Sequence, residues 1–219
     1  MAAIVTRWWW IRHAPVTAHG GCIYGQEDYP ADTADGDSFA RLASHLPAEP
    51  VWVTSHLRRT HETAAAILAA RDLAIGDRPP WLIEPDIAEQ HVGDWHGLTH
   101  DELSLRRGVG QDPFALWPAS ERPPGGESFL DVMARVDAAV ARLTAAHRGR
   151  DIVAIAHGGS IRAALAIALG IEGERVMSFA IDNCSITRID HISIGDTGRE
   201  RSCWRIVAVN RLPRTAASP

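Results

Sequence analysis

The sequence predicts an α/β fold: a three-layer α/β/α sandwich with a mostly parallel sheet and a short helical insertion over its site. Three observations carry that prediction. Apolar runs rich in Val, Ile and Trp alternate along the chain with Ala- and Leu-rich stretches of helical spacing, the order that builds a parallel sheet covered on both faces. Two of those runs end on a histidine, in Arg12-His13 and in Ala156-His157-Gly158-Gly159, and a third is followed by Ser55-His56-Leu57-Arg58-Arg59-Thr60. Open α/β sheets present reactive groups at such strand-to-helix junctions.

The first strand is Trp8–Ile11, in which Trp8-Trp9-Trp10 reads as core packing inside a buried strand rather than as a stacking platform for bases. A loop from Thr17 to Ala31 follows, and Gly20-Gly21 and Gly25 make it a flexible, substrate-contacting segment. Ser38–Leu46 reads as the first helix, Val51–Thr54 as the second strand, Arg59–Ala70 as the second helix and Trp81–Ile83 as the third strand. The stretch from Gly97 to Glu127 breaks the rhythm with Asp112-Pro113, Trp117-Pro118 and Pro123-Pro124-Gly125-Gly126. It reads as a short helical insertion that forms a lid or wall. Helix Ser128–Ala146, strand Ile152–Ala156, helix Ser160–Leu169 and strands Ser185–Ile189 and Trp204–Val209 complete the order, and Asn210 to Pro219 reads as a frayed tail. With no linker or internal repeat, residues 1–219 read as a single domain carrying an insertion at 97–127.

Composition narrows the chemistry. A net charge of -5, with basic residues spread rather than clustered, leaves no electrostatic footprint for nucleic acid or a membrane surface. All 22 basic residues are arginine. Without lysine there is neither a P-loop nor a Schiff base, whereas arginine suits bidentate phosphate recognition. Cys22, Cys184 and Cys203 are odd in number and far apart, which indicates neither a disulfide framework nor a zinc site and fits a reducing cytoplasm. The sequence shows no signal segment and no membrane-spanning run. The expected partner is a small molecule, and the sequence leaves a homodimer open.

Two imidazoles and several guanidiniums converging on one rim describe a site for a phosphoryl group. Here the chain resembles the histidine phosphatase superfamily, in its phosphoglycerate mutase-like branch and nearest in type to α-ribazole phosphatases. The resemblance rests on Arg12-His13, the S-x-L-x-R-x-x-x-T-A pattern from Ser55 to Ala64, and Ile87-Ala88-Glu89 before Gly93-Asp94-Trp95. It also rests on Gly125-Gly126-Glu127-Ser128, His157-Gly158-Gly159 and Asn183-Cys184-Ser185-Ile186-Thr187, all in family order. It implies that His13 is the nucleophile, that Arg12, Arg59 and His157 bind the phosphoryl oxygens, and that Glu89 is the general acid and base. Catalysis would rest on His13, Glu89 and His157, with no metal and no cofactor. Gly158 and Gly159 would point backbone N–H groups at the anion. Arg58, out of register with the pattern, reads as a surface residue.

The chain departs from the family at Ala14 and Val16, and Val16 cannot donate a hydrogen bond to phosphate. Ala18 and His19 replace the Trp-Asn of mutases, which favours a phosphomonoesterase of small phosphorylated metabolites. A mutase and a phospho-ligand binding module without turnover are the alternatives. His91, His96 and His100 lie near one another in sequence, but Gly97 interrupts the spacing, so surface histidines are expected rather than a zinc pair.

Overall fold

A computed structural model describes residues 3–71, 79–108, 117–195 and 201–213. Its elements run β1 (Ile4–Arg12), α1 (Gly36–His45), β2 (Val51–Thr54), α2 (Arg58–Ala69), β3 (Trp81–Ile83), α3 (His100–Arg107) and α4 (Phe129–Ala146). They continue with β4 (Asp151–Ala156), α5 (Gly158–Leu169), α6 (Gly173–Val176), β5 (Ile186–Ile194) and β6 (Arg201–Arg211). One six-stranded sheet has the order β3-β2-β4-β1-β5-β6. The four strands β3, β2, β4 and β1 are parallel, while β5 and β6 add on antiparallel.

Alternation along the central strands sorts the core into two layers. Trp8, Trp10, Ile152 and Ala154 pack with Val132, Val136 and Val140 of α4 and Ile161 and Leu165 of α5. Ile11, Val153 and Ile155 face the other way, onto Phe39 and Leu42 of α1 and Ile67 and Leu68 of α2. Of the tryptophan triple, Trp8 and Trp10 are buried core, stacked with centroids 5.0 Å apart, and Trp9 is partly buried against the other layer. The Trp8 indole N–H donates to Thr144 Oγ1 at 3.0 Å and that of Trp9 to Asp151 Oδ1 at 2.9 Å. No helix among the described residues is long and apolar enough to cross a membrane.

Boundaries differ from the sequence reading where polar groups do structural work. Helix α1 starts at Gly36 because Asp35 caps it, accepting from the Ser38 N–H at 3.0 Å. Ser128 precedes α4 as a capping box with Asp131. Strand β5 continues through Asp190 to Ile194, and β6 spans Arg201–Arg211 rather than Trp204–Val209. Asn210 and Arg211 therefore belong to a paired strand and not to a tail, while residues 214–219 lie outside those described. In the insertion, α3 forms between a Thr99–Glu102 capping box and left-handed Gly108. The expected loop around Asp112-Pro113 lies outside the described residues.

Candidate active site

Each candidate side chain leaves the sheet at the carboxyl end of a parallel strand. His13 follows β1, Arg59 lies in the first turn of α2 after β2, Glu89 comes six residues after β3, and His157 joins β4 to α5. Because β1 and β4 are neighbours, paired Arg12 to Ala156, the rings of His13 and His157 stand 5.1 Å apart. Both are buried.

Their tautomers follow from their partners. His13 Nδ1 lies 2.7 Å from the Ala14 carbonyl, which can only accept, so the proton sits on Nδ1 and the Nε2 lone pair is free. His157 Nδ1 accepts from Arg59 Nε at 3.3 Å, which places its proton on Nε2, donating to Ser55 Oγ at 2.8 Å. Burial first, and then the Arg59 guanidinium beside each ring, hold both imidazoles well below their ordinary pKa. At neutral pH both rings are uncharged.

Arg59 has no exposed surface. Its Nη1 donates to the Glu27 carbonyl at 2.7 Å and its Nη2 to that of Gly25 at 2.6 Å, while the guanidinium lies over the Tyr24 ring. The loop from Thr17 to Ala31 is thus tied to the site through one arginine. Arg12 donates to the Ile181 carbonyl at 2.6 Å and keeps a buried Nε without a partner among the described residues. Arg58 is exposed and pairs with Glu62, as its register implied.

The Glu89 carboxyl accepts from the Gly159 N–H at 3.2 and 3.3 Å and from the Gln90 N–H at 3.0 Å. The anion that the Gly159 N–H meets is therefore Glu89, a difference from the expectation of a phosphate there. Gly158 instead opens α5 between two guanidiniums, where a Cβ would lie 3.2 Å from Arg162 Nη1 and 3.9 Å from Arg12 Nε. A Cβ on Gly159 would fall 2.2 Å from Glu89 Oε1. Gly159→Ala must push the carboxyl aside, and if Glu89 is the proton donor that the resemblance implies, misplacing it by about 1 Å costs roughly 10²-fold. We expect that loss in kcat on alkyl phosphates with little change in melting temperature, measured side by side.

Several supporting residues escaped the sequence reading. Thr63 Oγ1 accepts from the Ala14 N–H at 2.9 Å and donates to the Arg59 carbonyl, joining the two motifs. Asn183 Nδ2 donates to the His13 carbonyl at 2.7 Å, which gives the Asn183-Cys184-Ser185 segment its place behind His13. Arg135 of α4 divides its guanidinium between the Glu89 segment and Glu127. It donates to the carbonyls of Asp86, Ala88 and Glu89 and grips both Glu127 oxygens, while Glu127 also holds the His91 N–H. Glu127 is committed to Arg135, and Asp94 is exposed.

Of the three neighbouring histidines, only His100 is exposed. The other two are loop acceptors, His96 Nε2 from the Gln26 N–H and His91 Nδ1 from the Gly93 N–H, so the expectation of surface histidines holds for His100 alone. Among the described residues no group of three or more His, Cys, Asp and Glu could hold a metal ion. Outside the buried rings, a cavity of about 390 Å³ reaches to Glu89, Gly159, Arg12 and Arg162 and is walled by Tyr24, Trp117 and Phe129. Trp117 makes the insertion part of that wall, and His19 also faces it.

Neutral imidazoles and guanidiniums gathered at the carboxyl ends of parallel strands, inside a three-layer sandwich, define a phosphoryl-transfer protein of the α/β class. The chain belongs to the histidine phosphatase superfamily (branch 1), whose family model matches residues 8–203. A glucosyl-3-phosphoglycerate phosphatase of Mycolicibacterium vanbaalenii is 37% identical over 177 residues, covering 74% of this chain and 73% of its own. A 2,3-bisphosphoglycerate-dependent phosphoglycerate mutase of Methylobacterium sp. (strain 4-46) is 35% identical over 130 residues, 58% of this chain and 60% of its own. α-Ribazole phosphatases are also among the similar proteins. A solved structure, Mycobacterial hydrolase 2, superposes with a TM-score of 0.78 at 25% identity, covering 98% of this chain and 94% of that one. The match to the bifunctional protein Rv2228c of Mycobacterium tuberculosis, 35% identical over 121 residues, spans only 30% of that relative.

Proposed function

We propose that residues 1–219 form one domain that hydrolyses a small phosphorylated metabolite through a phosphohistidine, without a metal or other cofactor. The observation that carries this reading is the His13 tautomer: Nδ1–H is tied to the Ala14 carbonyl, which leaves Nε2 as a buried, uncharged nucleophile between two arginines. Nε2 attacks phosphorus while the bond from phosphorus to the alcohol oxygen breaks, and Glu89 gives that oxygen its proton. Arg12, Arg59 and His157 hold the equatorial oxygens, and the Gly158 backbone lines the same cradle. Glu89, now a carboxylate, takes a proton from water as the hydroxyl attacks phosphorus. The P–N bond then breaks, returning neutral His13 and protonated Glu89. The unpaired Cys22, Cys184 and Cys203 suit a reducing cytoplasm.

The test is the full chain on p-nitrophenyl phosphate and on a panel of phosphorylated metabolites, with and without EDTA. Free orthophosphate released equally in both conditions is the expected result. Loss on chelation that a divalent ion restores would overturn the metal-free mechanism. Conversion of 3-phosphoglycerate to its 2-isomer without free phosphate would favour a mutase, and no turnover of any ester a binding module.

The neutral histidines also set a stability profile. Their folded pKa values lie below the unfolded 6.5, so as pH falls below about 6.5 the unfolded chain takes up protons that the folded chain refuses. The stability they permit is complete above pH 6.5 and declines below it, by roughly 1 kcal/mol per pH unit for each ring. Urea denaturation at pH 7.5 and 5.5 should show the parent losing more than His13→Ala; equal losses would contradict a neutral His13.

A further inference from the structure

We infer that Thr60, acting through Ser55, makes His157 a doubly protonated, cationic donor when a phosphoryl group binds, an inference that rests on the phosphomonoesterase reading. Both ring nitrogens of His157 are spent within the protein: Nδ1 accepts from Arg59 Nε at 3.3 Å and Nε2 donates to Ser55 Oγ at 2.8 Å. A neutral ring bonded in this way has no N–H left for a phosphoryl oxygen. When that oxygen takes the Arg59 Nε–H for itself, Nδ1 is left facing an anion and must gain a proton to hold it. Whether the ring then becomes cationic, or only moves its proton across from Nε2, depends on what Ser55 can do.

A chain of hydroxyls fixes that. Thr60 Oγ1 lies 2.8 Å from the Leu57 carbonyl and 3.2 Å from that of Ser55, which can only accept, so the Thr60 proton points to them. Thr60 Oγ1 is thereby the acceptor for Ser55 Oγ at 3.2 Å, and the Ser55 oxygen gives its lone pairs to the Leu57 N–H at 3.2 Å and to His157 Nε2. Ser55, Thr60 and His157 are all buried. Turning the Ser55 hydroxyl toward Nε2 would face two buried oxygens lone pair to lone pair, or pull the Thr60 hydroxyl off its carbonyls. The Nε2 proton therefore stays, and Nδ1 takes a second one. That proton comes with the ester: a phosphomonoester monoanion gives its P–OH proton to Nδ1 and is held as the dianion, and the departing phosphate takes the proton back. Burial, and then Arg59 of α2, His13 after β1, Arg135 of α4 and Arg12 of β1, otherwise hold the ring neutral. A dianion against Nδ1 acts in the opposite direction. Ser55 and Thr60 are positioning residues, and the charge they favour falls on the ring beside the transferring group.

The test reads His157 itself, by NMR of the full chain carrying 15N-labelled histidine rings, with and without inorganic phosphate at neutral pH, the ring being assigned from His157→Gln. In the parent the proton should sit on Nε2 alone without phosphate and on both nitrogens with it. Thr60→Val and Thr60→Ala take away the acceptor, so Ser55 turns its hydroxyl to Nε2 and phosphate should leave a neutral ring protonated on Nδ1 alone. Thr60→Ser should restore the cation. Calorimetry in two buffers of different ionisation enthalpy should find about one fewer proton taken up with phosphate in the variants without the hydroxyl. Their kcat/KM on phosphomonoesters should fall about tenfold, the difference between a charged and a neutral hydrogen-bond donor. A parent ring that stays neutral with phosphate bound, or one equally charged without the Thr60 hydroxyl, would overturn the inference. Orthophosphate released by a parent whose ring stays neutral would leave hydrolysis standing without it. A Thr60-dependent cation in a protein that releases no phosphate from any ester would uphold the inference and refute hydrolysis, and a parent that binds no phosphate would overturn both.

Discussion

In His13→Ala, turnover of every phosphomonoester falls to background while the protein stays folded. Under the proposed mechanism the substitution removes the atom that forms the bond to phosphorus, and with it the route through the phosphohistidine. Folding survives because the group removed is a buried ring at the end of β1, where the backbone is held independently. The His13 N–H donates to the Ala156 carbonyl at 2.9 Å, and its own carbonyl accepts from Asn183. Rapid quenching of the parent with 32P-labelled substrate should trap a phosphoenzyme stable to alkali and labile to acid, the signature of a phosphorus–nitrogen bond, and the variant should trap none. Near-parental turnover by His13→Ala would remove His13 from the chemistry.

Glu89→Gln should slow phosphorylation by an alkyl ester about 10²–10⁴-fold, equivalent to roughly 3–5 kcal/mol of barrier, and by an aryl ester far less. An alkoxide needs its proton in the transition state, which glutamine cannot give, whereas a phenolate of low basicity departs unaided. Dephosphorylation also needs a base, so the aryl ester should give a burst followed by slow release as the phosphoenzyme accumulates. Stopped-flow traces with both esters, parent beside variant, separate the two steps. Equal loss in the phosphorylation step for both esters would reduce Glu89 to shaping the pocket. The Arg135 brace would not rescue the variant, because it holds the Glu89 backbone and leaves the carboxyl chemistry untouched.

The reactive set was legible because each member sits in a short local pattern at a strand end, and the parallel order of strands carries those ends to one rim. The partners that tune it were not legible. Thr63 meets Ala14, Asn183 meets His13 and Arg135 meets Asp86 and Ala88 across long stretches of chain, and nothing in the local sequence marks a donor for a distant acceptor. Strand ends failed for a related reason. Asp190 is fully buried in β5, where a carboxylate ordinarily stops an apolar run, but Arg188 at 3.0 Å and Arg205 of β6 at 2.7 Å neutralise it. The apolar signal therefore ended at Ile189 while the strand went on. The Gly159 N–H was assigned to the wrong anion because a glycine at a helix start announces a donor without saying which acceptor will arrive.

The pairing of β1 with β4 joins residues near the start of the chain to residues two thirds of the way along it, and it also sets the His13–His157 spacing. The site thus has no precursor in any fragment: half the sheet carries half the chemistry. Such distant pairing is intrinsically slow, so during refolding the two imidazoles cannot meet before the central sheet has closed.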